Sequence, residues 1–534
     1  MKSFQKKSSN FERVLIAGGG TAGWLTACFL ARTLGAAGRG IQITLVESPE
    51  IGIIGVGEGT FPSIRSTLAA IGIDEATFIR ECHATFKQGI KFKDWVRAPG
   101  SAGMNPGADH YFHPFSQPSQ RPGGPELLPH WLQGTAGKGI GFAQAATMQK
   151  RVADAAHGPK RFTDTDFNGP MNYAYHFDAG RFAALLARHG RSLGVRHVQA
   201  NVERVALDEQ GAIACVHTRE QGAASATTLT ADLYIDCTGF RAALIGEALG
   251  APFRSMNGVL FCDRALAMQV PYPAADTPIP SYTISTAHEA GWTWDIGLQA
   301  RRGIGYVYSS RHTSDERAEQ VLRQYIGSAA DGLAPRALKL NVGYRDTQWI
   351  KNCVAVGLSG GFLEPLESSG IGLIETAAYL IGYLFPFNGE TEPVAATFNH
   401  LMRERYARVV DFIKLHYCLT QRTDNAFWLE NADPRSIPDS LRGKLAMWRA
   451  RPPNRLDFIA DLEMYPTSSW QYVLYGMEFS TALHPSGADA GRRAEAEREF
   501  RTIAQLSERA LADLPPHRAL VDHYCARAEN RCAK

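Results

Sequence analysis

Cysteine pairs are missing from this sequence. Its nine cysteines stand singly along 534 residues, with no C-x-x-C motif and no regular spacing of cysteine and histidine. Disulfide scaffolds need paired cysteines, and structural zinc sites need closely spaced thiol or imidazole ligands. The composition therefore argues against a disulfide-stabilised protein and against a metal centre, and it indicates reduced thiols.

The chain also lacks an excess of either charge and any long apolar run. It has 56 lysines and arginines against 53 aspartates and glutamates, a net charge of +3. So small a charge gives no reason to expect a nucleic acid or a membrane surface as partner. No apolar run is long enough to span a bilayer, and none follows the three lysines of residues 1–10 as in a secretion signal. We therefore expect a soluble, cytoplasmic protein.

Three glycines, by contrast, occupy positions that are typical of a nucleotide-binding turn. An apolar segment at 14–17 leads into Gly18, Gly20 and Gly23, and a helical segment follows at 24–34. In such a unit the first glycine permits a tight turn, the second lets a pyrophosphate approach the backbone, and the third lets the helix pack on the strand. The free N–H groups at the start of the helix then face the phosphates. The pattern predicts dinucleotide binding.

A second apolar segment supports this prediction. Residues 41–46 form the next predicted strand, and Glu47 follows them about where an acidic residue binds the adenosine ribose. The alternative is a glycine-rich turn in an unrelated α/β protein. At this point of the argument FAD and NAD are both open as the cofactor.

The length of the chain favours one large core with a smaller second domain. We predict an α/β core in residues 1–390, with an antiparallel sheet and a loop insert near 97–141, and a mainly helical subdomain in residues 391–534. The insert is rich in glycine, proline, serine and glutamine. Its histidines and aromatic residues are expected to be exposed and to fold over a ligand.

Local patterns make three more predictions. Residues 51–64 are glycine-rich and predict a loop that lies close to a ligand. A helix is predicted over 73–88, so that Lys87 falls at its junction with a strand at 90–95. The segments GWTWDIGL and RRGIGYVYSS alternate in polarity and predict an antiparallel pair around a turn at 299–303.

Six segments carry a more specific signal. They are GGGTAGW at 18–24, IGVGEGTFP at 54–62, FKQGIKF at 86–92, IDCTGFR at 235–241, WTWDI at 292–296 and GFLEPLESSGIGL at 361–373. Together they resemble the flavin-dependent tryptophan halogenase family, a branch of the FAD-dependent aromatic monooxygenase fold. The resemblance implies an α/β fold, with a Rossmann-like FAD domain and a helical C-terminal subdomain that binds substrate.

The resemblance also implies roles for particular residues. The implied catalytic residues are Lys87, which is essential for halogenation in the family, Glu367 opposite it, and the adjoining Ser368. The backbone amides of Ser369 and Gly370 are implied to bind halide. The implied flavin contacts are Gly18, Gly20, Ala22, Gly23, Glu47, Gly55, Glu58, Leu358 and Ile371. The implied substrate contacts are His113 and Phe115, with His110 and Phe112 as the rival pair, and Trp470.

In the implied reaction, reduced FAD and O2 oxidise chloride or bromide to hypohalous acid, which crosses to a second chamber and halogenates an aromatic carbon. The ammonium of Lys87 can hydrogen-bond this oxidant and its neutral amine can form a haloamine, and both versions are open. Glu367 is expected to orient the oxidant or to accept the proton that the ring loses. A separate NAD(P)H-dependent flavin reductase is the expected partner, and a homodimer is an open alternative.

The sequence departs from the family at two places. Gly297 stands where the tryptophan block usually ends in proline. The adjacent tyrosines that hold the amino-acid head of free tryptophan are missing from the comparable stretch, which begins Trp470-Gln471-Tyr472. We therefore expect an indole without that head to be preferred, because a buried zwitterion needs polar partners. The alternative is that Glu478 or an arginine supplies the clamp.

Two other functions compete with halogenation. An FAD-dependent aromatic hydroxylase shares the fold and the IDCTGFR block, and it would oxidise NAD(P)H without a separate reductase. Trp292 and Trp294 favour the halogenase, because the resemblance implies that these tryptophans prevent hydroxylation at the flavin. A non-catalytic flavin-binding protein is the second alternative, and the joint presence of Lys87 and Glu367 argues against it.

Overall fold

The fold contains both parallel and antiparallel sheets. The computed structural model describes residues 10–35, 40–50, 52, 57–101, 109–119, 121–483 and 490–532. The strands in these residues are, in chain order, β1 Arg13–Ala17, β2 Gln42–Glu47, β3 Gly57–Gly59, β4 Thr85–Lys87, β5 Gly89–Lys93, β6 His110–Pro114, β7 Ala174–Asp178, β8 Arg196–Gln199, β9 Asn201–Leu207, β10 Ile213–Arg219, β11 Thr227–Leu229, β12 Leu233–Asp236, β13 Arg254–Ser255, β14 Arg264–Pro271, β15 Thr283–His288, β16 Gly291–Gly297, β17 Arg301–Tyr308, β18 Arg336–Lys339, β19 Gly343–Tyr344, β20 Trp349–Ile350, β21 Cys353–Ala355 and β22 Gly361–Phe362.

Helices follow the strands of the first half and dominate the last third of the chain. They are α1 Thr21–Leu30, α2 Ser63–Ile71, α3 Glu75–Glu81, α4 Leu127–Leu132, α5 Phe142–Ala146, α6 Gln149–Asp154, α7 Ala179–Ser192, α8 Asp315–Ile326, α9 Ser369–Tyr383, α10 Thr391–Cys418, α11 Ala426–Ala432, α12 Asp439–Ala450, α13 Thr467–Gly476, α14 Arg493–Asp513 and α15 His517–Cys532. Within the described residues, no helix combines the length and the apolarity that crossing a membrane requires.

The first strand lies at the centre of a six-stranded sheet. The strand order is β20-β21-β12-β1-β2-β8, and every neighbouring pair except β20–β21 is parallel. Residues 14–17 are buried because both faces of this parallel sheet are covered, as their unbroken apolar run predicts. Helix α1 leaves β1 and packs against α7 and α9. The predicted α/β class is confirmed.

A second large sheet carries the tryptophan block. Its order is β18-β14-β17-β16-β15-β5-β6, and its pairs are antiparallel except for the parallel pair of β5 and β15. Strands β16 and β17 pair in the register Trp292 to Val307 and Trp294 to Gly305. The predicted antiparallel pair is therefore confirmed, but the turn predicted at 299–303 occupies only residues 298–300, because β17 begins at Arg301.

The prediction of one helix over residues 73–88 is wrong. Helix α3 ends at Glu81, and His83 then takes a positive φ of 50°, which a continuous right-handed helix does not allow. Residues Thr85–Lys87 form β4, which pairs with β7 in a small sheet of order β3-β7-β4. The β-branched Thr85 and the aromatic Phe86 suit this strand. Lys87 therefore lies on a buried strand and not at a helix end.

The prediction of an irregular loop with exposed aromatic residues over 97–141 is also wrong for part of that range. Residues His110–Pro114 form β6, which pairs antiparallel with β5, and α4 follows. Tyr111, Phe112 and His113 are buried. Alternation along β6 directs neighbouring side chains to opposite faces, and both faces are covered. Residues 102–108 and 120 lie outside the described part.

The carboxyl-terminal helices share a core with the first part of the chain. One hydrophobic cluster contains Phe92 of β5, Phe412 of α10 and Trp470 of α13. Helix α10 begins at Thr391, next to the predicted boundary at residue 390. The division into two domains stays a prediction.

Candidate active site

The turn after β1 has the geometry that its three glycines predict. Gly18 has a φ of +115°, and a side chain there would overlap the carbonyl of Cys237. A side chain on Gly23 would overlap the carbonyl of Gly18, whereas the space beside Gly20 is open. The close approaches explain why glycine is needed at the first and third positions. The open space at the second position suits a pyrophosphate against the backbone.

Acidic and apolar residues surround this turn. Glu47, the last residue of β2, accepts a hydrogen bond from Trp24 Nε1 at 3.1 Å, and its other oxygen lies 3.0 Å from His197 Nε2. A side chain on Gly19 would overlap the Glu47 carboxylate, so this acid lies directly against the turn. The predicted cofactor residues around the turn are thus brought together.

The remaining predicted cofactor residues come from three segments. Ala22 packs against Gly357, which precedes Leu358 in a short 3-10 turn. Ile371 is buried in the first turn of α9. Glu58 lies on β3, and burial raises the pKa of its carboxyl to about 7. Gly55 lies outside the described residues.

Helix α9 begins beside this region with an unusual residue. Ser368 precedes the helix at φ 57° and ψ 33°, and its hydroxyl makes no capping bond to α9. The first helical residues are Ser369 and Gly370, and the space beside Gly370 is open. Free N–H groups and the helix dipole make a helix N-terminus attractive to an anion. The predicted halide-binding residues therefore occupy a position that fits a halide.

Lys87 is fully buried and its described partners are neutral. Its Nζ donates to Ser368 Oγ at 2.8 Å and to the carbonyl oxygen of Thr60 at 3.3 Å. It lies 5.3 Å from the centre of the Phe115 ring. Burial lowers the pKa of the amine to about 7, against the opposing effect of the Glu367 charge. Lys87 can therefore lose or gain a proton near neutral pH.

Glu367 is also fully buried, but it has two imidazole partners. His113 Nδ1 lies 2.9 Å from Oε1 and 3.1 Å from Oε2 of this carboxylate, and His416 Nε2 lies 3.1 Å from Oε1. Burial alone would raise the pKa of Glu367. The two histidines, His113 foremost, outweigh burial and lower that pKa to about 2. The carboxylate is therefore held in its charged form.

One face of β6 brings these groups together. Tyr111 OH lies 2.6 Å from Nδ1 of His416, His113 contacts Glu367, and Phe115, just beyond the strand, lies against Lys87. These three residues alternate along the chain, so they share a face. His110 is exposed, and Phe112 packs edge-on against Tyr282 at 5.8 Å on the other face. The predicted pair His113 and Phe115 is the one beside Lys87 and Glu367.

The three implied tryptophans are buried at different places. Trp292 Nε1 lies 3.4 Å from Oε2 of Glu364, and its ring centre is 6.5 Å from that of Trp294. Trp470 is fully buried in α13, and its ring packs against Phe412 at 4.9 Å. Phe412 in turn lies 5.8 Å from His113, which places Trp470 one layer behind that histidine. A substrate contact for Trp470 stays a prediction.

Sequence analysis missed two residues of this cluster. His416 lies in the last turn of α10, where a basic residue is common and carries no motif. Tyr111 would have been found if residues 110–114 had been interpreted as a strand, since it shares a face with His113. The residues around Gly20, Glu47 and the start of α9 fit a dinucleotide such as FAD, and Lys87 and Glu367 offer a titratable base beside a fixed negative charge.

Comparisons with known proteins agree with this geometry. The family model for tryptophan halogenase matches residues 13–491. The tryptophan 6-halogenase SttH of Streptomyces toxytricini is 35% identical over 526 residues, which cover 95% of this chain and 97% of that protein. The crystal structure of a tryptophan halogenase from Shewanella frigidimarina NCIMB 400 matches with a TM-score of 0.91 and 40% identity, over 97% of this chain and 98% of that one. BrvH, a flavin-dependent halogenase from Brevundimonas sp. BAL3, matches with a TM-score of 0.85 and 33% identity, over 96% and 99%.

Proposed function

This chain belongs to the tryptophan halogenase family, and we propose that it transfers halogen from hypohalous acid to the ring of an indole, with Lys87 holding the oxidant. It is a flavin-dependent halogenase, an oxidoreductase whose family implies FAD and a halide. The observation that carries the proposal is the Lys87 amine, which is fully buried, has only neutral partners among the described residues and lies beside the first turn of α9.

FAD in its reduced form, when bound, supplies with O2 the oxidising equivalents that convert chloride or bromide to hypohalous acid. The chain's own residues then have two tasks. The N–H groups at Ser369 and Gly370 hold the halide at the positive end of α9. Lys87 hydrogen-bonds or binds the oxidant, and its pKa near 7 keeps both its ammonium and its amine accessible at neutral pH. The choice between hydrogen-bonded acid and haloamine does not alter the position of Lys87.

The substrate that we propose is an indole without an amino-acid head. Two side chains that could clamp such a head are already engaged within the protein, and the buried indole N–H of Trp470, which has no hydrogen-bond partner among the described residues, is a single neutral donor. Gln471 Nε2 donates to the carbonyl of Pro453 at 2.9 Å. Glu478, the alternative clamp, accepts from Arg97 Nη1 at 2.7 Å and from Gln421 Nε2 at 3.3 Å. A zwitterionic head would therefore have to displace existing bonds or stay unpaired, which is costly in a buried site.

The partners follow from the chemistry. A separate NAD(P)H-dependent flavin reductase is proposed to deliver reduced FAD, since the chain shows one dinucleotide fingerprint, at residues 18–23. The halide is chloride or bromide. A homodimer remains an untested prediction.

The function is tested with purified chain, FAD, NADH, a flavin reductase and indole, with chloride or bromide supplied in separate reactions. We expect a product whose isotope pattern contains the halide supplied, and none in a reaction without halide. A product that gains oxygen alone would identify a hydroxylase. The absence of any product across an indole panel would contradict the proposal.

The substrate class is tested by competition. Indole and free tryptophan are offered together at equal concentration, and the two halogenated products are quantified by mass spectrometry. Indole is expected to react faster, because it brings no charged group that needs a partner. A clear preference for tryptophan would overturn the headless-indole proposal and leave halogenation itself intact.

A further inference from the structure

Both carboxylate oxygens of Glu367 are occupied before any substrate arrives. Glu367 is 0% exposed. His113 Nδ1 hydrogen-bonds both oxygens within 3.1 Å, and His416 Nε2 lies 3.1 Å from Oε1 without a hydrogen bond to it. Both imidazoles lower the pKa of the carboxyl against the effect of burial, which makes the carboxylate a poor acceptor for a further proton. The group that removes the ring proton must then be sought beside it.

His113 has the required free nitrogen. Its Nδ1 faces Glu367, which accepts hydrogen bonds only, so we assign the neutral ring a proton on Nδ1 and a lone pair on Nε2. His113 is 1% exposed, and within the described residues its Nε2 has no hydrogen-bond partner. Buried polar atoms almost always have partners. This acceptor therefore points to a ligand that donates a proton.

No described residue hydrogen-bonds His113 Nε2, although a second imidazole lies nearby. The groups next to the His113 ring are Glu367, Phe412 of α10 at 5.8 Å and Tyr472 of α13 at 6.3 Å between ring centres. His416 lies on the other side of the Glu367 carboxylate, with its Nδ1 2.6 Å from Tyr111 OH. The Tyr472 hydroxyl is engaged with the carbonyl of Ser116 at 3.1 Å. The next residue on the same face of β6 is Phe115, which lies against Lys87. His113 is thus adjacent to both the carboxylate and the amine.

We propose that His113 Nε2 is the base that removes the proton from the halogenated ring carbon, with Glu367 as the partner that stabilises the resulting imidazolium. This inference rests on the proposed halogenation of an indole. The arrangement is a carboxylate–imidazole pair, in which the carboxylate fixes the tautomer and the imidazole moves the proton.

The step balances as follows. Hypohalous acid gives its halogen to the ring carbon, so that the carbon–halogen bond forms and the halogen–oxygen bond breaks. The hydroxide that leaves takes a proton from the Lys87 ammonium and becomes water. The ring C–H bond then breaks, its electron pair restores the aromatic ring, and the proton goes to His113 Nε2. The ring is oxidised by two electrons, the halogen is reduced by two, and one proton donor and one acceptor are used.

The tautomer is tested without turnover. Nitrogen NMR of the flavin-free chain, with histidine labelled at both ring nitrogens, reports which nitrogen of His113 carries a proton. For the neutral ring we expect a proton on Nδ1 and a bare Nε2, the form that can accept the ring proton. A proton on Nε2, in either the other neutral tautomer or an imidazolium, would overturn the proposal even if the enzyme halogenates indole. This measurement uses the unsubstituted protein, so it tests the tautomer of His113 whether or not a variant folds.

The proton transfer is tested with His113→Asn and indole deuterated on its ring carbons. The asparagine amide keeps a donor near the position of Nδ1, so Glu367 stays bonded, but no acceptor replaces Nε2. We expect halogenation to slow by about 10²-fold or more. We also expect a primary deuterium isotope effect on the single-turnover rate that the unsubstituted enzyme lacks, because proton removal becomes rate-limiting.

A matched control is His288→Asn, which replaces a half-buried histidine at the end of β15 whose Nε2 lies 3.1 Å from Thr293 Oγ1. This variant should show no isotope effect. Indole binding to the flavin-free variants, measured by fluorescence, should stay within a few-fold of the unsubstituted chain. A slow His113→Asn enzyme with no isotope effect would make His113 a packing residue and overturn the proposal. Absence of product from the unsubstituted enzyme would instead contradict the proposed function.

Discussion

Two of the three lysines that are buried in the described part of the chain, Lys160 and Lys87, lie in regions that are built in opposite ways. In the first region, Lys160 Nζ lies 2.7 Å from Glu75 Oε2 and 2.7 Å from the carbonyl of Thr165. The other Glu75 oxygen, Oε1, accepts from Tyr173 OH at 2.7 Å and from Tyr175 OH at 2.5 Å. In the second, Lys87 meets two neutral oxygens, while Glu367 is bound by histidines. Both lysines and both glutamates are 0% exposed.

We propose that the difference separates a structural ion pair from a reactive amine. A buried charge is tolerated when an opposite charge and hydrogen bonds compensate it, as at Lys160. Lys87 has no carboxylate in hydrogen-bond contact, and burial lowers the pKa of its amine to about 7. The nearby negative charge of Glu367 is satisfied by other partners. Burial alone therefore does not identify a catalytic lysine. Neutral partners do not identify one either, because Lys414 is also 0% exposed, donates to Asn431 Oδ1 at 2.8 Å and has a pKa that burial lowers to about 8. What distinguishes Lys87 is its position beside the first turn of α9.

The largest effect should come from Lys87→Met. We expect the halogenation rate of indole to fall by at least about 10³-fold, because the group that holds the oxidant is lost. Consumption of O2 by reduced FAD should continue at the unsubstituted rate, since Lys87 acts after that reaction. Lys87→Arg should also fail, because a guanidinium stays charged and places its donors differently. A Lys87→Met enzyme that halogenates normally would remove Lys87 from the reaction and break the comparison.

Lys160→Met should show the reverse pattern. Removing one partner of a buried pair leaves the Glu75 carboxylate uncompensated, which costs about 3–5 kcal/mol of unfolding free energy. Urea denaturation followed by fluorescence measures this loss. Halogenation per folded molecule should stay within about twofold of the unsubstituted rate, because the groups that Lys160 contacts in the described part of the chain, Glu75, Thr165, Tyr173 and Tyr524, have no proposed part in the reaction. Loss of turnover in the folded variant would show that the Lys160 region also serves the chemistry.

The sequence predicted the cofactor turn better than the reactive centre for a physical reason. The Gly18–Gly23 turn is contiguous, and its constraints are those of local backbone, so a short motif describes it. The Lys87 centre joins β4, β6, α10 and the start of α9, and its contacts are set by packing between distant segments. The resemblance supplied Lys87 and Glu367, but nothing in the sequence pairs His416 with Tyr111. The wrong helix over 73–88 hid the strand that buries Lys87.

Lys87→Met should also stabilise the fold in neutral and acidic solution. In the folded chain the pKa of Lys87 is lowered from 10.5 to about 7, so the unfolded chain binds more protons between these values. Stability therefore rises with pH across this window, and below pH 7 the buried ammonium exerts its full cost. We expect Lys87→Met to gain a few kcal/mol at pH 6, and the gain to shrink towards pH 10. Urea midpoints at several pH values measure this gain in stability. A Lys87→Met variant that is less stable than the unsubstituted chain at pH 6 would contradict the proposed cost of the buried ammonium.

Substitution of Ser368 should have a smaller effect on the halogenation rate than substitution of Lys87. It also distinguishes the role of the Ser368 hydroxyl from that of its backbone conformation. Its hydroxyl accepts the bond from Lys87 at 2.8 Å and caps nothing, so Ser368→Ala removes a partner of Lys87 without uncapping α9. We expect the indole halogenation rate to fall about tenfold, the effect of one hydrogen bond. Ser440→Ala, which removes a hydroxyl from Asp411 Oδ1 at 2.8 Å, is the matched control and should keep its rate.

Ser368→Gly completes the test because Ser368 has a φ of 57°. Glycine adopts this left-handed conformation freely, so the glycine variant should be more stable than the alanine variant by about 1 kcal/mol. Both variants should lose the same turnover, since both lack the hydroxyl. Urea midpoints measure the stability of the two variants, and product formation with indole measures their turnover. If Ser368→Ala kept the full rate, the hydroxyl would have no part in holding Lys87 reactive, and Lys87 would differ from Lys160 only in lacking a carboxylate partner.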